Sequence, residues 1–360
     1  MNEFEYMSRA IVLADRPLFS PHPNPRVGCV IVKNKIVVGE GCHEYAGGPH
    51  AEVNALKQAG DLAEQSTVFV TLEPCSHFGL TPPCADALIK ARVGEVVIAM
   101  KDPNPKVAGQ GIERLKKAGI KVKVGILEAQ AVELNKGFIK RMLTGMPRVC
   151  SKIAMSLDGR TSMSSGESKW ITGSQARQDV QKLRARTHAI LSGSGTVLAD
   201  NPRFTVRDAS VPENCFRQPL RVIVDSKNKL NGSEHVFTES GKAIIAGINS
   251  SEHTDRLNCE YLKLPEEGGK VSLKSLLQAL ANRQINDVLV EAGPALNGAL
   301  LSRGLIDELI VYMSTDVMGD DANGMFHLPD LKLMKDKVSF HCEDVRKVGK
   351  DIRMTLLPVY

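Results

Sequence analysis

The sequence predicts two consecutive α/β domains, and three observations lead to this prediction. The chain has 360 residues, whereas a single hydrophobic core stops growing at roughly 250–300 residues. Strand-like and helix-like segments alternate along both halves, which predicts sheets covered by helices. A turn cluster, Thr144-Gly145-Met146-Pro147, interrupts this pattern. We therefore place a domain boundary there and expect domains over residues 1–146 and 147–360.

In the first half, apolar spacing and turn residues predict the elements in order. A helix over residues 3–16 follows from Phe4, Met7 and Ile11, which recur at helical spacing. A hairpin comes next, because short apolar runs at 27–32 and 36–38 flank a polar turn. The remaining elements alternate in type: helix 51–59, strand 67–72, helix 85–92, strand 96–99, helix 111–118, strand 122–124 and helix 128–143. This order implies a largely parallel sheet covered on both faces.

The second half restarts with a strand over residues 148–154 and is predicted to be another α/β domain. Apolar runs predict its further strands at 189–191, 220–225, 243–248, 288–291 and 309–313. Helical spacing predicts helices at 174–186, 273–283 and 295–302. The last stretch, 338–345 with 352–357, is typical of a closing antiparallel pair.

Composition excludes several classes of protein. The formal net charge is +5 and aromatic residues make up 4% of the chain, which favours neither a basic stripe nor an aromatic platform for nucleic acid. The N-terminal segment is charged and amphipathic, unlike a signal peptide, and no apolar stretch approaches the roughly 18 residues of a membrane span. The eight cysteines are spread along the chain and do not form a dense disulfide scaffold. We expect a cytoplasmic protein that binds neither nucleic acid nor membrane.

Three short segments carry candidate metal ligands: Pro49-His50-Ala51-Glu52, Glu73-Pro74-Cys75-Ser76-His77 and Thr81-Pro82-Pro83-Cys84. His50, Cys75 and Cys84 together offer one imidazole and two sulfurs. Such a set leaves the fourth tetrahedral position open, as in catalytic zinc sites. Proline is typical of the first helical position, so His50 and Cys84 are expected in the first turns of helices, where the positive end of the dipole favours a thiolate. We predict one zinc ion per chain.

Glu52 is predicted to be the proton shuttle of this site. An H-x-E motif followed by P-C and a later Cys occurs in zinc deaminases, where the Glu is an acid/base and not a ligand. Zinc lowers the pKa of its water towards neutrality. Glu52 would take that proton, the hydroxide would attack the ring carbon bearing the amino group, and Glu52 would protonate the leaving ammonia. His43 and His77 are alternative ligands, although we interpret them as substrate-pocket residues.

Taken with Asn24-Pro25-Arg26-Val27-Gly28, these motifs resemble the deaminase half of the bifunctional riboflavin-biosynthesis deaminase/reductase family. Motifs of the second half resemble the reductase half of that family; they lie at 152–159, 193–196, 200–202 and 291–294. The resemblance covers nearly the whole chain. It implies a cytidine-deaminase-like three-layer domain followed by a dihydrofolate-reductase-like α/β domain.

The resemblance also implies two reactions on one phosphorylated pyrimidine. The first is zinc-dependent hydrolytic deamination of 2,5-diamino-6-ribosylamino-4(3H)-pyrimidinone 5′-phosphate. The second uses NADPH to reduce the ribosyl side chain, giving 5-amino-6-ribitylamino-2,4(1H,3H)-pyrimidinedione 5′-phosphate. A homo-oligomer, either a dimer or a tetramer, is also expected.

The family's binding residues carry over by motif match. Those implied to hold NADPH are Ala154, Trp170, Thr196, Asp200, Ser226, Gly293, Pro294, Ala295, Leu296, Asn297, Gly298 and Ala299. Those implied to hold the substrate are Asn24, His43 and His77 in the deaminase and Ser168, Arg184, Phe204, Arg207 and Glu291 in the reductase. Lys152 and Asp200 are candidates for proton delivery or orientation during hydride transfer.

Two residues depart from the family pattern: Leu80 replaces a usually basic residue, and Ala292 replaces a usual glycine. From the residues alone, the glycine turns at 193–196 and 293–296 are more typical of plain loops than of phosphate sites, and only the resemblance favours the cofactor. Three alternatives therefore stay open. They are a monofunctional deaminase with an accessory second domain, a deaminase acting on a base in tRNA or DNA, and a zinc-stabilised binding module.

Overall fold

A computed structural model describes residues 1–17, 22–76, 82–105, 107–207, 217–249 and 259–360. The chain divides into two units, Met1–Met146 and Pro147–Tyr360. In the first unit the helices are α1 (Glu3–Asp15), α2 (Ala51–Ala59), α3 (Cys84–Lys90), α4 (Gln110–Lys117), α5 (Glu128–Leu134) and α6 (Lys136–Thr144). Its strands are β1 (Gly28–Lys33), β2 (Ile36–Cys42), β3 (Thr67–Leu72), β4 (Glu95–Met100) and β5 (Lys121–Val124).

The sheet of the first unit has the strand order β2-β1-β3-β4-β5 and is covered by helices on both faces. On one face α2, α3 and α4 bury apolar side chains such as Ala55, Leu88 and Leu115 against the strands. On the other face α1 buries Met7 and Ala10, and α5 contributes Ala131. The predicted three-layer arrangement is confirmed.

The predicted hairpin of β1 and β2 is confirmed, but the prediction of a largely parallel first sheet is wrong, because two of its four strand pairs are antiparallel. Strand β1 runs antiparallel to both β2 and β3, while β3, β4 and β5 are parallel. The reason lies in the chain path. The tight hairpin makes β2 antiparallel to β1, and the crossover through α2 returns β3 parallel to β2 on the far side of β1.

The predicted single helix over residues 128–143 is also wrong, because the structure divides it into α5 and α6 at Asn135. The backbone of Asn135 leaves the helical region, with φ −125° and ψ 22°. Its buried side chain accepts a hydrogen bond from the Arg26 N–H at 2.9 Å and donates one to the Arg26 carbonyl at 2.9 Å. The break between the two helices thus coincides with a tertiary contact of the Asn135 side chain.

The second unit contains a nine-stranded sheet and five helices among its described residues. The helices are α7 (Ser174–Arg186), α8 (Ser194–Asp200), α9 (His235–Thr238), α10 (Leu273–Asn282) and α11 (Pro294–Ser302). The sheet strands are β6 (Arg148–Met155), β8 (Ala189–Gly193), β9 (Leu220–Val224), β10 (Ala243–Gly247), β11 (Cys259–Lys263), β14 (Asp287–Val290), β15 (Glu308–Met313), β17 (Ser339–Val348) and β18 (Asp351–Val359). Four short strands form separate pairs: β7 (Arg160–Ser162) with β16 (Asn323–Gly324), and β12 (Glu266–Glu267) with β13 (Lys270–Val271).

The order in this sheet is β11-β10-β9-β8-β14-β6-β15-β18-β17. All pairs from β11 to β15 are parallel, whereas β18 is antiparallel to both β15 and β17. Since β8, β14 and β6 are parallel neighbours, their carboxyl ends meet at one edge of the sheet, where ligands bind in open α/β sheets. Among the described helices, none is long and apolar enough to cross a membrane.

Candidate active sites

In the first unit, three elements present the predicted metal ligands. His50 is the N-cap residue of α2, Cys84 is the first residue of α3, and Cys75 lies three residues beyond the end of β3. The two prolines lie slightly earlier than predicted, since Pro83 is the N-cap of α3 and Pro49 precedes the N-cap of α2. The helix starts nevertheless bring His50 and Cys84 towards the strand end that carries Cys75.

The three ligand atoms lie close enough together to share one ion. His50 Nδ1 is 3.1 Å from Cys84 Sγ and 3.6 Å from Cys75 Sγ, and all three atoms lie within 4.8 Å of one another. Zinc bonds of about 2.3 Å to sulfur and about 2.0 Å to nitrogen, at tetrahedral angles, place the ligand atoms roughly 3.5–3.8 Å apart. The donor set and its spacing therefore fit zinc.

The electrostatics of the two sulfurs favour a shared proton. A hydrogen bond from Cys84 lowers the pKa of the Cys75 thiol to about 4, and the same bond together with burial raises the pKa of Cys84. The Cys84 backbone N–H also donates to Cys75 Sγ at 3.2 Å. A divalent cation favours the deprotonated form of every thiol that it binds.

Glu52 lies in the first turn of α2, two residues beyond His50, and is 3% exposed. Burial, followed by the negative charge of Cys75, raises the pKa of the Glu52 carboxyl to about 7. A bound cation would act in the opposite direction. A carboxyl group whose pKa is raised by burial and lowered by a bound cation can accept and return a proton near neutral pH.

His43 lies beside the ligand cluster but is not part of it. Its Nδ1 donates to the Pro49 carbonyl at 3.1 Å, and its Nε2 accepts from Asn24 Nδ2 at 3.0 Å. Burial lowers the pKa of His43, which favours the neutral ring. With both nitrogens engaged, the His43 ring is fixed next to that of His50, whose ring centroid is 5.3 Å away. His77 and Leu80 lie outside the described residues.

In the second unit, a buried ion cluster joins three of the predicted residues. Glu291 follows β14, Arg184 is on α7 and Lys152 is on β6. Arg184 donates from Nε and Nη2 to the two carboxylate oxygens of Glu291 at 2.6 and 3.0 Å, and Lys152 Nζ lies 3.9 Å from Glu291 Oε2. Burial raises the pKa of Glu291, but the charges of Arg184 and Lys152 outweigh it and the net shift is downward.

Two glycine turns lie side by side at the carboxyl ends of β8 and β14. Gly193 precedes α8, Gly293 precedes α11, and the Gly293 N–H donates to Thr196 Oγ1 at 3.0 Å. A Cβ on Gly195 would have no described atom within 4 Å, so the backbone is open there. Two adjacent helix starts at a glycine turn are suited to phosphate groups. This arrangement fits a dinucleotide such as NADPH.

Around these turns the other predicted residues differ in their surroundings. The Ser168 hydroxyl donates to Asp200 Oδ1 at 2.8 Å. Trp170 is 70% exposed, and the guanidinium carbon of Arg177 lies 4.6 Å from the centroid of its ring. Phe204 is buried beside Arg184, its ring centroid 5.8 Å from the guanidinium carbon.

Three further predicted residues lie at strand and loop positions of the same unit. The Arg207 Nη1 donates to Thr205 Oγ1 at 3.2 Å. Ser226 Oγ accepts from the Val271 N–H at 3.0 Å. Ala154 is near the carboxyl end of β6, paired with Tyr312 of β15.

The predicted cofactor residues of α11 and of the turn before it differ in exposure. Gly293, Pro294, Ala295 and Leu296 are partly or fully exposed, and Ala299 is half-buried. Asn297 is buried, and it accepts from Ser151 Oγ at 2.8 Å and donates to the Ala292 carbonyl at 2.7 Å. A Cβ on Gly298 would lie 2.2 Å from the His327 carbonyl oxygen. Asn297 and Gly298 are therefore positions at which α11 packs against the rest of the unit.

Ala292 does not strain the turn, because its φ is not positive. Its methyl group therefore costs nothing in backbone conformation at the position where the family pattern has glycine.

Two side chains of the first unit were not predicted to have a role. Glu73 is 5% exposed and accepts backbone hydrogen bonds from Asp102, which follows β4, and from residues at the start of α4. Arg114 on α4 donates to the Ser76 carbonyl at 3.1 Å. The position of Glu73 directly before Pro74-Cys75 was the available signal, but the residues that its carboxylate binds are 29 or more positions away.

Comparison with known proteins extends these observations. The family model of the cytidine and deoxycytidylate deaminase zinc-binding region matches residues 1–100, and that of the RibD C-terminal domain matches residues 147–354. Riboflavin biosynthesis protein RibD of Escherichia coli K12 is 49% identical over 99% of this chain and 100% of that protein. The Haemophilus influenzae protein of the same name is 47% identical over 98% and 96% of the respective chains.

Solved structures of related proteins match the fold of this chain over nearly its full length. Acinetobacter baumannii RibD has a TM-score of 0.94 and 47% identity, with 99% of both chains covered. A diaminohydroxyphosphoribosylaminopyrimidine deaminase/5-amino-6-(5-phosphoribosylamino)uracil reductase from Thermotoga maritima has a TM-score of 0.89 and 36% identity, with 99% of this chain and 98% of that chain covered.

The fold and the comparisons define a zinc-dependent deaminase of the cytidine-deaminase class joined to a dihydrofolate-reductase-like reductase. The chain belongs to the RibD family, the bifunctional deaminases and reductases of riboflavin biosynthesis. Its cofactors are zinc in the deaminase domain and NADPH in the reductase domain. The predicted two activities are thereby confirmed, and the alternative of a monofunctional deaminase is excluded.

Proposed function

We propose that the first unit deaminates 2,5-diamino-6-ribosylamino-4(3H)-pyrimidinone 5′-phosphate and that the second unit reduces the ribosyl group of the product. The single observation that supports the first step best is the cluster of His50, Cys75 and Cys84 beside the buried Glu52. The two activities by which the Thermotoga maritima relative is named supply the substrate class.

In the deaminase site, we assign zinc to His50, Cys75 and Cys84, and proton transfer to Glu52. Zinc, when bound there, lowers the pKa of water towards neutrality. Glu52 accepts one proton from the attacking water. As the C–O bond forms and the C–N bond breaks, Glu52 returns that proton to the departing amino nitrogen. The Asn24 side-chain amide donates to His43 Nε2 at 3.0 Å. This hydrogen bond favours the neutral ring and fixes it beside the bound pyrimidine.

In the reductase site, we assign substrate contacts to Ser168, Phe204, Arg207 and the Arg184–Glu291 pair. NADPH supplies the hydride when it is bound at the two glycine turns. Of the two candidates for proton delivery, Lys152 is favoured over Asp200. Burial lowers the pKa of Lys152, which makes its ammonium a better acid, whereas the Asp200 carboxylate already accepts the Ser168 hydroxyl.

A two-step assay tests this proposal. The zinc-loaded protein is given the diaminopyrimidine nucleotide without NADPH, and ammonia release is measured. NADPH is then added and its oxidation is followed at the absorbance of the reduced nicotinamide. We expect ammonia first and NADPH oxidation second. No ammonia from a folded, zinc-loaded protein would refute the deaminase assignment, and no oxidation with the deaminated nucleotide would refute the reductase assignment.

We further propose that the chain works as a homo-oligomer, a dimer or a tetramer, in the cytoplasm. Strand β17 ends the large sheet, spans ten residues and is mostly exposed. Such an edge carries unpaired backbone groups that can pair with a second copy. Light scattering coupled to size exclusion tests this proposal of a homo-oligomer: a monomer at micromolar concentration would contradict it.

The proposal of a cytoplasmic protein is supported by the cysteines. Those that the structure describes are all free thiols, which suits a reducing compartment.

A further inference from the structure

The loop that carries Cys75 is held at several points by α4, a helix that contributes no ligand of its own. Glu73 begins this loop, directly after β3, and its N–H donates to the Met100 carbonyl at 3.0 Å. Its carboxylate accepts four backbone N–H groups. Oε1 accepts from Gly111 at 2.9 Å and Ile112 at 3.2 Å, and Oε2 accepts from Gly109 at 3.0 Å and Asp102 at 3.2 Å.

A direct backbone contact lies next to this carboxylate. A Cβ built on Gly111 would be 2.0 Å from the Pro74 carbonyl oxygen. The φ of Gly111 is not positive, so the glycine is needed for close approach and not for an unusual backbone conformation. The first turn of α4 thus rests on the residue immediately before Cys75.

Arg114 holds the other side of the same loop. Its Nη1 donates to the Ser76 carbonyl at 3.1 Å, and its Nε lies 2.6 Å from Asp86 Oδ1. Asp86 is on α3, two residues beyond Cys84. Arg114 therefore connects the residue after Cys75 to the helix that begins with Cys84, and the two sulfur-bearing segments are fixed relative to each other.

We propose that α4 is a brace for the metal site, with Glu73 and Arg114 as positioning residues that set Cys75 against His50 and Cys84. This proposal rests on the assignment of zinc to those three side chains. Outer partners of metal ligands typically contribute about 10- to 100-fold in metal affinity. Here the partners act on the backbone on both sides of Cys75, so their loss widens the distribution of sulfur positions without removing a ligand.

The test compares Glu73→Gln and Arg114→Met with Glu113→Gln, an exposed residue of the same helix. In Glu73→Gln, one of the two carboxylate oxygens becomes an NH₂ group, so two backbone N–H groups lose their acceptor whichever way the amide turns. We expect zinc affinity, measured by competition with a chelator, to fall about 10- to 100-fold in both variants. The visible spectrum of the cobalt-substituted protein should also shift, because it reports thiolate geometry.

Two controls make the outcome decisive. NADPH oxidation with the deaminated nucleotide, a reaction of the other unit, should be unchanged in every variant, and Glu113→Gln should match the wild type throughout. A wild-type zinc affinity and an unshifted cobalt spectrum in folded Arg114→Met would overturn the proposed brace. Because the Arg114 side chain is partly exposed, this variant provides the test if Glu73→Gln does not fold. Absence of zinc binding by the wild type would instead overturn the assignment of the ligands.

Discussion

Glu52 and His50 are two positions apart on one helix start, yet they take part in the site in different ways. His50 turns its Nδ1 to the two sulfurs, while Glu52 is buried without belonging to the ligand cluster. The sequence motif predicted both residues because ligand and shuttle are separated by a fixed spacing. The motif could not predict the hydrogen bonds of the His43 ring, since its partners Asn24 and Pro49 come from other segments of the chain.

Replacing Glu52 by Gln should leave zinc bound and reduce deamination by about 100- to 10,000-fold, the usual contribution of a positioned acid/base. The amide keeps the shape of the side chain but cannot carry the proton. Metal analysis and ammonia release measure the two effects, and NADPH oxidation with the deaminated nucleotide is the control for folding. A variant with a near-normal rate of ammonia release would remove Glu52 from the mechanism.

Replacing Glu291 by Gln should destabilise the second unit, because Arg184 and Lys152 would remain buried without a counter-charge. Removal of one partner of a buried pair costs about 3–5 kcal/mol. The pKa of Glu291 is lowered in the folded protein, so its stabilisation is complete above the unfolded pKa of about 4.3 and is lost as the pH falls through the lower folded value. The difference between wild type and variant should therefore be largest at neutral pH and shrink below about pH 4.

Hydrogen exchange of the β14 and α7 amides, followed by mass spectrometry between pH 3 and pH 7, measures this local stability. Glu343→Gln, at an exposed position of β17, is the matched control and should leave the exchange unchanged. Equal protection in wild type and Glu291→Gln at neutral pH would show that the ion cluster adds no stability.

At the scale of elements, the sequence predicted what depends on local patterns and missed what depends on distant partners. The helices α1, α2 and α7 begin and end within a few residues of their predicted bounds. The break at Asn135 was missed, because the residue that causes it, Arg26, is 109 positions away. Strand β11 and helices α8 and α9 were not predicted either. The short strands β7, β12, β13 and β16 were also missed, since two or three residues carry too little periodicity to be recognised.

The Asn135 contact leads to a prediction at this scale. Asn135→Ala should destabilise the first unit by about 1–3 kcal/mol, because the Arg26 N–H and carbonyl lose their partner. The Arg26 amide should also lose its protection from hydrogen exchange. Asn135→Asp keeps an acceptor for the N–H and loses only the donor to the carbonyl, so it should fall between the wild type and the alanine variant. Unchanged protection of the Arg26 amide in Asn135→Ala would disprove this account of the helix break.

For the whole molecule, the alternation of strands and helices predicted two α/β halves, and the resemblance predicted which chemistry each half performs. The glycine turns after β8 and β14 could be located from the sequence, because each follows a predicted strand. The antiparallel pairing of β1 with β3 could not, because strand order within a sheet is a property of the folded chain.

Because the three proposed zinc ligands all lie in the first unit, removal of zinc should separate the two activities. A chelator should abolish ammonia release, while NADPH oxidation with added deaminated nucleotide should persist at its original rate. Re-addition of zinc should restore ammonia release, which controls for irreversible damage. A parallel loss of both activities would mean that the second unit depends on the metal as well.

The union of the two units in one polypeptide has a consequence for metabolic supply. Each translated chain delivers one copy of each active site, so gene dosage and promoter strength cannot alter the ratio of the two enzymes. At given concentrations of substrate and NADPH, the steady-state level of the intermediate is then set by the kinetic constants of the two sites. The ratio of the two catalytic capacities can change only through an amino-acid substitution in one unit, so selection on either half acts on a fixed stoichiometry.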